Sequence, residues 1–177
     1  MTSVRAVEAP VESWPIVHYE GTDWYVARVY VPAVARADVP RICEEWGCEA
    51  PSKGLVDAIW RAADFKIDPW KMVRPPPPHK NMKSREAQEA HRKNMQSPEA
   101  LEDQLRKLEK LASEHGDFQL LAGSHKDIAW VTPERLDLYG WHQLNGKDIE
   151  AGRTRHNDLY MDYSQGLRLV RRCGEQF

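Results

Sequence analysis

The chain has 177 residues, enough to bury a hydrophobic core within one domain. Hydrophobic residues make up 41% and charged residues 29% of the sequence, which is typical of a globular protein and argues against general disorder. The net charge of -2 offers no basic field to a nucleic acid, and no apolar run approaches the roughly 20 residues that span a bilayer. Nucleic acid binding and membrane insertion are therefore not expected.

The N-terminal third predicts one strand and two helices. Residues 1–15 combine prolines with small and acidic residues, so we expect loose order there; without an apolar signal-peptide core, the segment favours a cytoplasmic location. Residues 24–31 are rich in β-branched and aromatic side chains and predict a strand. A short helix is expected after Asp38, and a second helix with an apolar stripe after the cap residue Ser52.

The middle of the chain contains an unusual segment followed by a strong helix signal. Residues 75–96 begin with four consecutive prolines and continue as a polar, basic stretch, which predicts an excursion from a single domain covering 1–177. We expect this excursion to be mobile or partly helical. Ser97 is then the predicted N-cap of a long amphipathic helix that ends at Gly116.

The last third changes to short strand patterns separated by glycines. Asn145-Gly146 is typical of a hairpin turn, because both residues tolerate positive φ. The sequence therefore predicts an α+β fold, with a small, mainly antiparallel sheet in the C-terminal half packed against N-terminal and central helices. The expected strands cover residues 118–122, 127–131, 136–142 and 167–171.

Three motifs in this last third concentrate polar and aromatic side chains next to glycines. They are GSHKD at 123–127, YGWH at 139–142 and HNDLYMDYSQG at 156–166. Side chains at strand ends and turns leave a rigid scaffold and commonly form binding or catalytic sites. The motifs are therefore the predicted location of any chemistry in this chain.

In their order along the chain, the motifs resemble those of a poorly characterised group of bacterial and phage-borne proteins. That group has a Gly-His-Lys-Lys-Asp-like segment, a Tyr-Gly-Trp-His segment and a closing His…Tyr-x-Asp-Tyr-Ser-His-Gly-x-Arg segment. The resemblance covers roughly residues 119–172 and brings no established activity with it. This chain departs from the pattern, because Gln165 stands where the group has His and Ser124 precedes His125. The matching residues are His125, Lys126, Asp127, Tyr139 to His142, His156, Tyr160, Asp162, Tyr163, Ser164, Gly166 and Arg168.

Three interpretations of these residues stay open at this point. In the first, three imidazoles with Asp127 or Asp162 bind zinc and activate a water molecule. In the second, a His acts as general base, Asp162 orients it, and Ser164 or water attacks, while tyrosines and an arginine bind an anion. In the third, the same side chains are satisfied structural groups. The candidate catalytic residues are His125, His142, His156, Asp162 and Ser164; the candidate binding residues are Lys126, Tyr139, Trp141, Tyr160, Tyr163 and Arg168.

The leading functional prediction is a small hydrolase-like enzyme, of a kind that a phage could carry, acting on a cell-wall peptide or glycan. It depends on the imidazoles of His125, His142 and His156 sharing one open hollow with Asp162. The alternative is a non-catalytic or inhibitory protein that holds a small anionic ligand or a host partner, with residues 75–96 as a contact surface. A virion or scaffold component is the third possibility.

Overall fold

The computed structural model describes residues 10–115, 120–154 and 156–175 of the chain. These residues form four α-helices and ten β-strands in mainly antiparallel sheets, which confirms the α+β class predicted from the sequence. No helix within these ranges is both long and apolar enough to cross a membrane.

The first described residues are packed into the fold. Residues 1–9 lie outside the described ranges, so most of the predicted loose N-terminus is not covered. Val11–Ser13 forms a 3-10 turn, and the Trp14 side chain that follows it is buried in the core with 4% of its surface exposed. The tail prediction therefore extended too far, because Trp14 has apolar neighbours that only the folded chain brings to it.

Three of the four helices begin after the residues that the sequence analysis named, which are Asp38, Ser52 and Ser97, and the helix within segment 75–96 begins after Ser84. The hydroxyl oxygens of Ser52, Ser84 and Ser97 accept hydrogen bonds from backbone N–H groups three residues later, at 3.1–3.2 Å. Gly47, at a φ of 56°, ends the first helix in the left-handed region. The predicted end of the last helix at Gly116 lies outside the described residues. The helices are α1 (Val39–Trp46), α2 (Lys53–Ala62), α3 (Arg85–Met95) and α4 (Pro98–His115).

The strands are short and form three sheets. A three-stranded sheet has the order β1-β2-β10, a five-stranded sheet the order β3-β9-β6-β7-β8, and β4 pairs with β5 in parallel. Within the five-stranded sheet, β6 and β9 are parallel and the other pairs antiparallel. The strands are β1 (Ile16–Tyr19), β2 (Thr22–Val26), β3 (Val31–Pro32), β4 (Phe65–Lys66), β5 (Leu121–Ala122), β6 (Lys126–Thr132), β7 (Arg135–Gly140), β8 (Glu150–Ala151), β9 (Gln165–Leu167) and β10 (Val170–Arg172).

Two strands that the sequence predicts as continuous each divide between two sheets. Residues 24–31 contribute to β2 and then to β3, and residues 167–171 contribute to β9 and then to β10. The two crossing points meet, because the Ala27 N–H donates to the Leu169 carbonyl oxygen at 2.9 Å. An apolar, β-branched run is compatible with either sheet, so the local pattern does not reveal where the chain changes from one to the other.

The predicted hairpin turn is present between β7 and β8. Gly146 has a φ of 84°, and its N–H donates to the Gln143 carbonyl oxygen at 2.8 Å. The strands that it joins pair antiparallel through Tyr139 with Ala151 and Gly140 with Glu150. This hairpin holds Trp141, which follows β7, and Glu150 in β8 near one another at one end of the sheet.

Among the described residues, two large hydrophobic clusters and a small third one form the core, and each combines residues from the first and last parts of the chain. The first large cluster contains Trp14, Val34 and Ile128 among its members, and the second contains Val26, Leu55 and Val170. The apolar stripe predicted for α2 is buried as expected, with Val56 in the small third cluster and the other buried residues of the stripe in the second. The buried members of that helix are Leu55, Val56, Ala58 and Ile59.

Candidate functional site

A cleft of about 460 Å³ opens between the segment 71–95 and the C-terminal motifs. Its size lies within the range of small-molecule sites, about 300–1,000 Å³. We name its two sides the helix wall and the motif wall. The helix wall consists of Lys71, Met72, Arg74, Met82, Gln88, His91, Arg92 and Met95. The motif wall consists of Lys126, Trp141, Ile149, Glu150, His156, Tyr160 and Tyr163.

Hydrogen bonds of Tyr163 hold the two walls together. Its backbone N–H donates to the Met95 carbonyl oxygen at 3.0 Å. Its hydroxyl donates to the Trp70 carbonyl oxygen at 2.9 Å and accepts from the Met72 N–H at 3.0 Å. Burial raises the pKa of Tyr163 to about 12, so the phenol stays protonated at neutral pH. This tyrosine, predicted as a binding residue, lines the cleft and also positions the helix wall.

The cations of the cleft differ in how they are neutralised. Arg92 pairs with Glu89 at 2.6 Å, and the Lys126 ammonium lies 3.3 Å from a Glu150 oxygen. Lys71 and Arg74 have no carboxylate partner within the part of the chain that the structure describes. The helix wall therefore presents positive charge that its own surroundings leave unneutralised.

An imidazole stacked on a phenol forms the most exposed part of the motif wall. The rings of His156 and Tyr160 are almost parallel, at an interplanar angle of 7° and a centroid distance of 3.7 Å. Tyr160 is buried, whereas His156 is exposed. Partial burial is the largest cause that lowers the pKa of His156 below its usual value, so its ring is neutral at pH 7.

Two buried N–H-bearing rings of the cleft lack hydrogen-bond partners among the described residues. They are the Nδ1 atom of His91 and the Nε1 atom of Trp141, whose residues are 6% and 5% exposed. Burial, followed by the Arg74 cation, lowers the pKa of His91. Buried polar atoms normally have hydrogen-bond partners. Two such nitrogens without a partner at one cleft are therefore groups whose hydrogen bonds a ligand or water would complete.

The backbone at Trp141 is held in an uncommon conformation. Gly140 has a φ of 78° and Trp141 a φ of 52°, so β7 ends two residues before the predicted end at His142. A Cβ atom at Gly140 would lie 3.2 Å from the His142 ring, which explains a glycine in the YGWH motif. A bulky residue in the left-handed region is rare and is held there by its surroundings.

Comparison with known proteins gives no relative from which an activity could be transferred. No protein-family model, curated protein or solved structure matches the chain. The function must therefore be argued from the cleft and its surroundings.

Asp162 accepts hydrogen bonds from its own motif and is not open to solvent. Its Oδ1 accepts from the Ser164 N–H at 2.8 Å and from the Ser164 hydroxyl at 2.6 Å, and its Oδ2 accepts from the Tyr160 hydroxyl at 3.1 Å. The Lys126 ammonium lies 3.9 Å away. Ser164 is fully buried, so neither of these candidate catalytic residues reaches the cleft. Their contacts position Tyr160 and Lys126, which do line it.

The three candidate imidazoles do not meet around Asp162 as the sequence predicted. His156 lines the cleft, whereas His125 and His142 line a small closed space behind Trp141. Among the described residues, no group of three or more His, Cys, Asp or Glu side chains is arranged to hold a metal ion. The expected zinc ligands thus belong to two places, because His125, directly before β6, and His142, two residues after β7, are buried in the fold.

His125 belongs to a buried group that we call the interior cluster: Tyr30, His125, Asp127 and Arg168. His125 is fully buried, and burial with the nearby Arg168 cation lowers its pKa to about 3. The Tyr30 hydroxyl donates to an Asp127 oxygen at 2.9 Å, and burial raises the pKa of Asp127 to about 7. The other Asp127 oxygen and the His125 Nε2 atom have no partner among the described residues.

Arg168, predicted as a binding residue, is buried in the fold and does not line the cleft. It is fully buried, its guanidinium lies 3.8 Å from the centre of the Tyr30 ring, and it donates to the Ala27 carbonyl oxygen at 2.7 Å. A second nitrogen donates to the Leu121 carbonyl oxygen. The anion-binding role of Arg168 stays a prediction, and its two terminal nitrogens donate within the fold.

His142 and Tyr139 share a carboxylate that the sequence analysis did not identify. Asp57 of α2 lies 2.9 Å from His142 Nε2 and accepts from the Tyr139 hydroxyl at 2.9 Å. His142 also packs against Trp60, with ring centroids 5.4 Å apart. These contacts attach α2 to β7, so the two motif residues serve the fold. A Tyr-x-x-His spacing carries no information about which helix provides the acid.

Gln165, at the position where the resembled group has His, is buried in β9. With its amide assigned from its surroundings, the nitrogen donates to the carbonyl oxygens of Tyr160 at 3.1 Å and Val34 at 3.3 Å. The glutamine supports the backbone of the motif wall. Its side chain does not line the cleft.

Several of the cleft residues that sequence reasoning missed lie in the Pro-rich and basic segment, while Lys71, Met72 and Arg74 come directly before it and Ile149 and Glu150 lie in the last third of the chain. Ala87, His91 and Met95 occur at intervals of four on α3, and Ala87 and His91 are buried. This spacing on one helix face is the signal that could have found them. The polar composition of the segment as a whole concealed it.

Proposed function

We propose that this protein binds a small organic anion in the cleft between the helix wall and the motif wall. The observation that carries the proposal is the pair of cations Lys71 and Arg74, which face the cleft without a carboxylate partner among the described residues. A guanidinium and an ammonium three residues apart suit a phosphate or carboxylate, because charge-assisted hydrogen bonds to such groups are strong.

The surroundings of these cations favour a specific ligand over a loosely held counter-ion. The unpartnered ring nitrogens of His91 and Trp141 provide buried polar groups at the same cleft. A hydrogen bond from a ligand to a buried donor contributes more binding free energy than one to an exposed donor. The reason is that a buried donor without a partner has lost its hydrogen bonds to water. Tyr163 fixes the backbone at Met72 next to Lys71, so the helix wall is already in place before a ligand binds.

Titration calorimetry of the full chain with ribose 5-phosphate tests this proposal. We expect the double variant Lys71→Gln/Arg74→Gln to bind at least roughly tenfold more weakly, because two charge-assisted contacts are lost. The matched control Arg61→Gln/Lys147→Gln removes two exposed cations outside the cleft and should bind like the wild type. Equal affinity of both double variants, or no binding of ribose 5-phosphate or citrate at millimolar concentration, would overturn it.

A hydrolytic function of the same cleft is a second proposal, favoured by the position of His156. Its imidazole is exposed and lines the cleft, and because its pKa is lowered the ring is neutral at pH 7 and free to accept a proton. In this version His156 takes a proton from the attacking water, whose oxygen bonds to the substrate carbon as the bond to the leaving group breaks. The imidazolium then returns that proton to the leaving group, and Ser164 takes no part. Incubation with peptidoglycan should release soluble fragments in a manner that His156→Ala abolishes and Ser164→Ala preserves. Absence of release by the folded wild-type protein removes the hydrolase proposal and leaves the binding proposal standing.

A further inference from the structure

We infer that the anion held by the cleft is a nucleoside phosphate, whose base continues the His156–Tyr160 stack and whose phosphate meets Lys71 and Arg74. The inference rests on the proposed binding function and specifies its ligand class. Three features of the cleft lead to it: an exposed ring available for stacking, a surface of methionine side chains, and one carboxylate among several cations.

The stacking platform is the exposed imidazole of His156. One face of the ring lies on Tyr160, with centroids 3.7 Å apart and planes within 7°, so the other face is the one left for a ligand. Flat aromatic rings gain most by offset stacking on such a surface, and nucleobases stack on aromatic side chains without regard to sequence. Because the pKa of His156 is lowered, the platform is uncharged at neutral pH and suits a neutral base.

Methionine side chains provide the apolar part of the helix wall. Met72, Met82 and Met95 all line the cleft, and the other side chains of the helix wall are polar or cationic. Thioether groups make favourable contacts with aromatic rings and adapt to irregular shapes. A ligand that was only a phosphate or a small carboxylate would leave these three side chains without a role, whereas a heterocyclic base would contact them.

Glu150 is the feature that separates a nucleotide from a simple aromatic anion. The other charged side chains of the cleft are all cations, and Glu150 stays partly exposed although it pairs with Lys126. A carboxylate repels an anionic group, so the part of a ligand beside its exposed oxygen is better a hydrogen-bond donor. Ribose hydroxyls and exocyclic amino groups are such donors, and acidic residues commonly bind ribose hydroxyls in nucleotide sites.

The test compares four ligands by calorimetry with the full chain: adenosine 5′-monophosphate, ribose 5-phosphate, phenyl phosphate and adenosine. We expect the monophosphate to bind roughly tenfold more tightly than ribose 5-phosphate, the increment that one base stack provides. His156→Ala should remove this increment, and His156→Phe should retain it. His18→Ala, which removes an exposed imidazole elsewhere, should leave all four affinities unchanged.

The outcomes separate this inference from the proposed function. Equal affinities for adenosine 5′-monophosphate and ribose 5-phosphate, or a phenyl phosphate that binds as tightly as the nucleotide, would overturn the nucleotide assignment and leave anion binding intact. Binding of the nucleotide that persists unchanged in folded His156→Ala overturns it as well. Failure of every phosphate to bind would instead remove the binding function on which the inference depends.

Discussion

At the scale of single residues, burial and hydrogen-bond partners give side chains of the same type different properties. His156 is exposed at the cleft, whereas His125 is fully buried with a pKa lowered to about 3. Asp162 is an acceptor saturated by its neighbours, whereas Asp127 is buried with one oxygen unpaired among the described residues. Residues of one type therefore have different roles, and each difference can be measured.

The buried carboxyl of Asp127 should make stability depend on pH. Its pKa is raised from 3.8 to about 7, so between these values the unfolded chain is ionised while the folded chain stays protonated. The unfolded state then binds fewer protons, and the free energy of unfolding falls as pH rises through this range. An asparagine at this position cannot ionise. The free energy of unfolding of Asp127→Asn should therefore exceed that of the wild type by an amount on the order of a few kcal/mol at pH 7.

Urea denaturation of wild type and Asp127→Asn at a series of pH values between 4 and 8 measures this gain. The lowered pKa of His125 acts in the opposite direction, because its stability contribution is lost as pH falls below its usual value of 6.5. The comparison of the two proteins cancels that contribution. Asp103→Asn, in an exposed ion pair, serves as control. A stability difference that stays constant across the range contradicts the prediction.

Ser164 should behave as a structural residue. Ser164→Ala loses the buried hydrogen bond from its hydroxyl to Asp162, while the backbone N–H bond to the same oxygen remains. We expect the free energy of unfolding to fall by about 1–2 kcal/mol, with unchanged binding of ribose 5-phosphate. Ser113→Ala removes an exposed hydroxyl bond and should cost less than about 0.5 kcal/mol. Loss of binding or turnover without loss of stability would restore the nucleophile interpretation.

At the scale of elements, the segment 75–96 was expected to be mobile or partly helical, and its place at the cleft was not expected. The excursion folds into α3, packs on Tyr163 and forms one wall of the cleft. The polar motifs and the segment 75–96 therefore line the same cleft. A wall that depends on a few hydrogen bonds should respond to their removal.

Tyr163→Phe isolates the contacts that hold the helix wall. The variant keeps the ring and loses the hydroxyl bonds to Trp70 and Met72. We expect stability to fall by about 1–2 kcal/mol, amide exchange at Met72 to accelerate, and ribose 5-phosphate to bind more weakly because Lys71 is less well placed. Tyr19→Phe, which removes an exposed bond to Glu20, should change none of these quantities. Unaltered exchange at Met72 in the first variant would show that other contacts hold the wall.

The sequence predicts elements that have local signals and misses those set by distant contacts. Serine caps and the stripe of α2 are local, so α2 and α4 begin where expected. Lys126, Trp141 and Tyr160 were likewise expected in the site and line the cleft. The crossings from one sheet to another have no local pattern, and neither does the burial of a cation such as Arg168. Cleft membership of Lys71, Met72 and Arg74 follows from tertiary packing alone, whereas His91 and Met95 carry the helical spacing described above.

At the scale of the whole molecule, Arg168 lies where the three sheets meet. It stands between β9 and β10, which belong to the five-stranded and three-stranded sheets. Its guanidinium donates to Ala27, directly after β2, and to Leu121 in β5 of the two-stranded sheet. A single side chain thus provides donors to backbone acceptors from two other parts of the chain. The integrity of all three sheets should depend on it.

Arg168→Met tests this dependence, because it keeps the length of the side chain and removes its donors. Two buried carbonyl oxygens lose their hydrogen-bond donor. The variant no longer has to bury a cation, but this gain only partly offsets the lost hydrogen bonds. We expect the free energy of unfolding to fall by about 2–4 kcal/mol in urea titration, with a single transition at lower denaturant. Arg172→Met, at a half-exposed position in β10, should stay within about 0.5 kcal/mol of the wild type. A stable Arg168→Met protein that failed to bind ribose 5-phosphate would instead place Arg168 in the ligand site, since a residue needed only for the fold cannot be lost without a loss of stability.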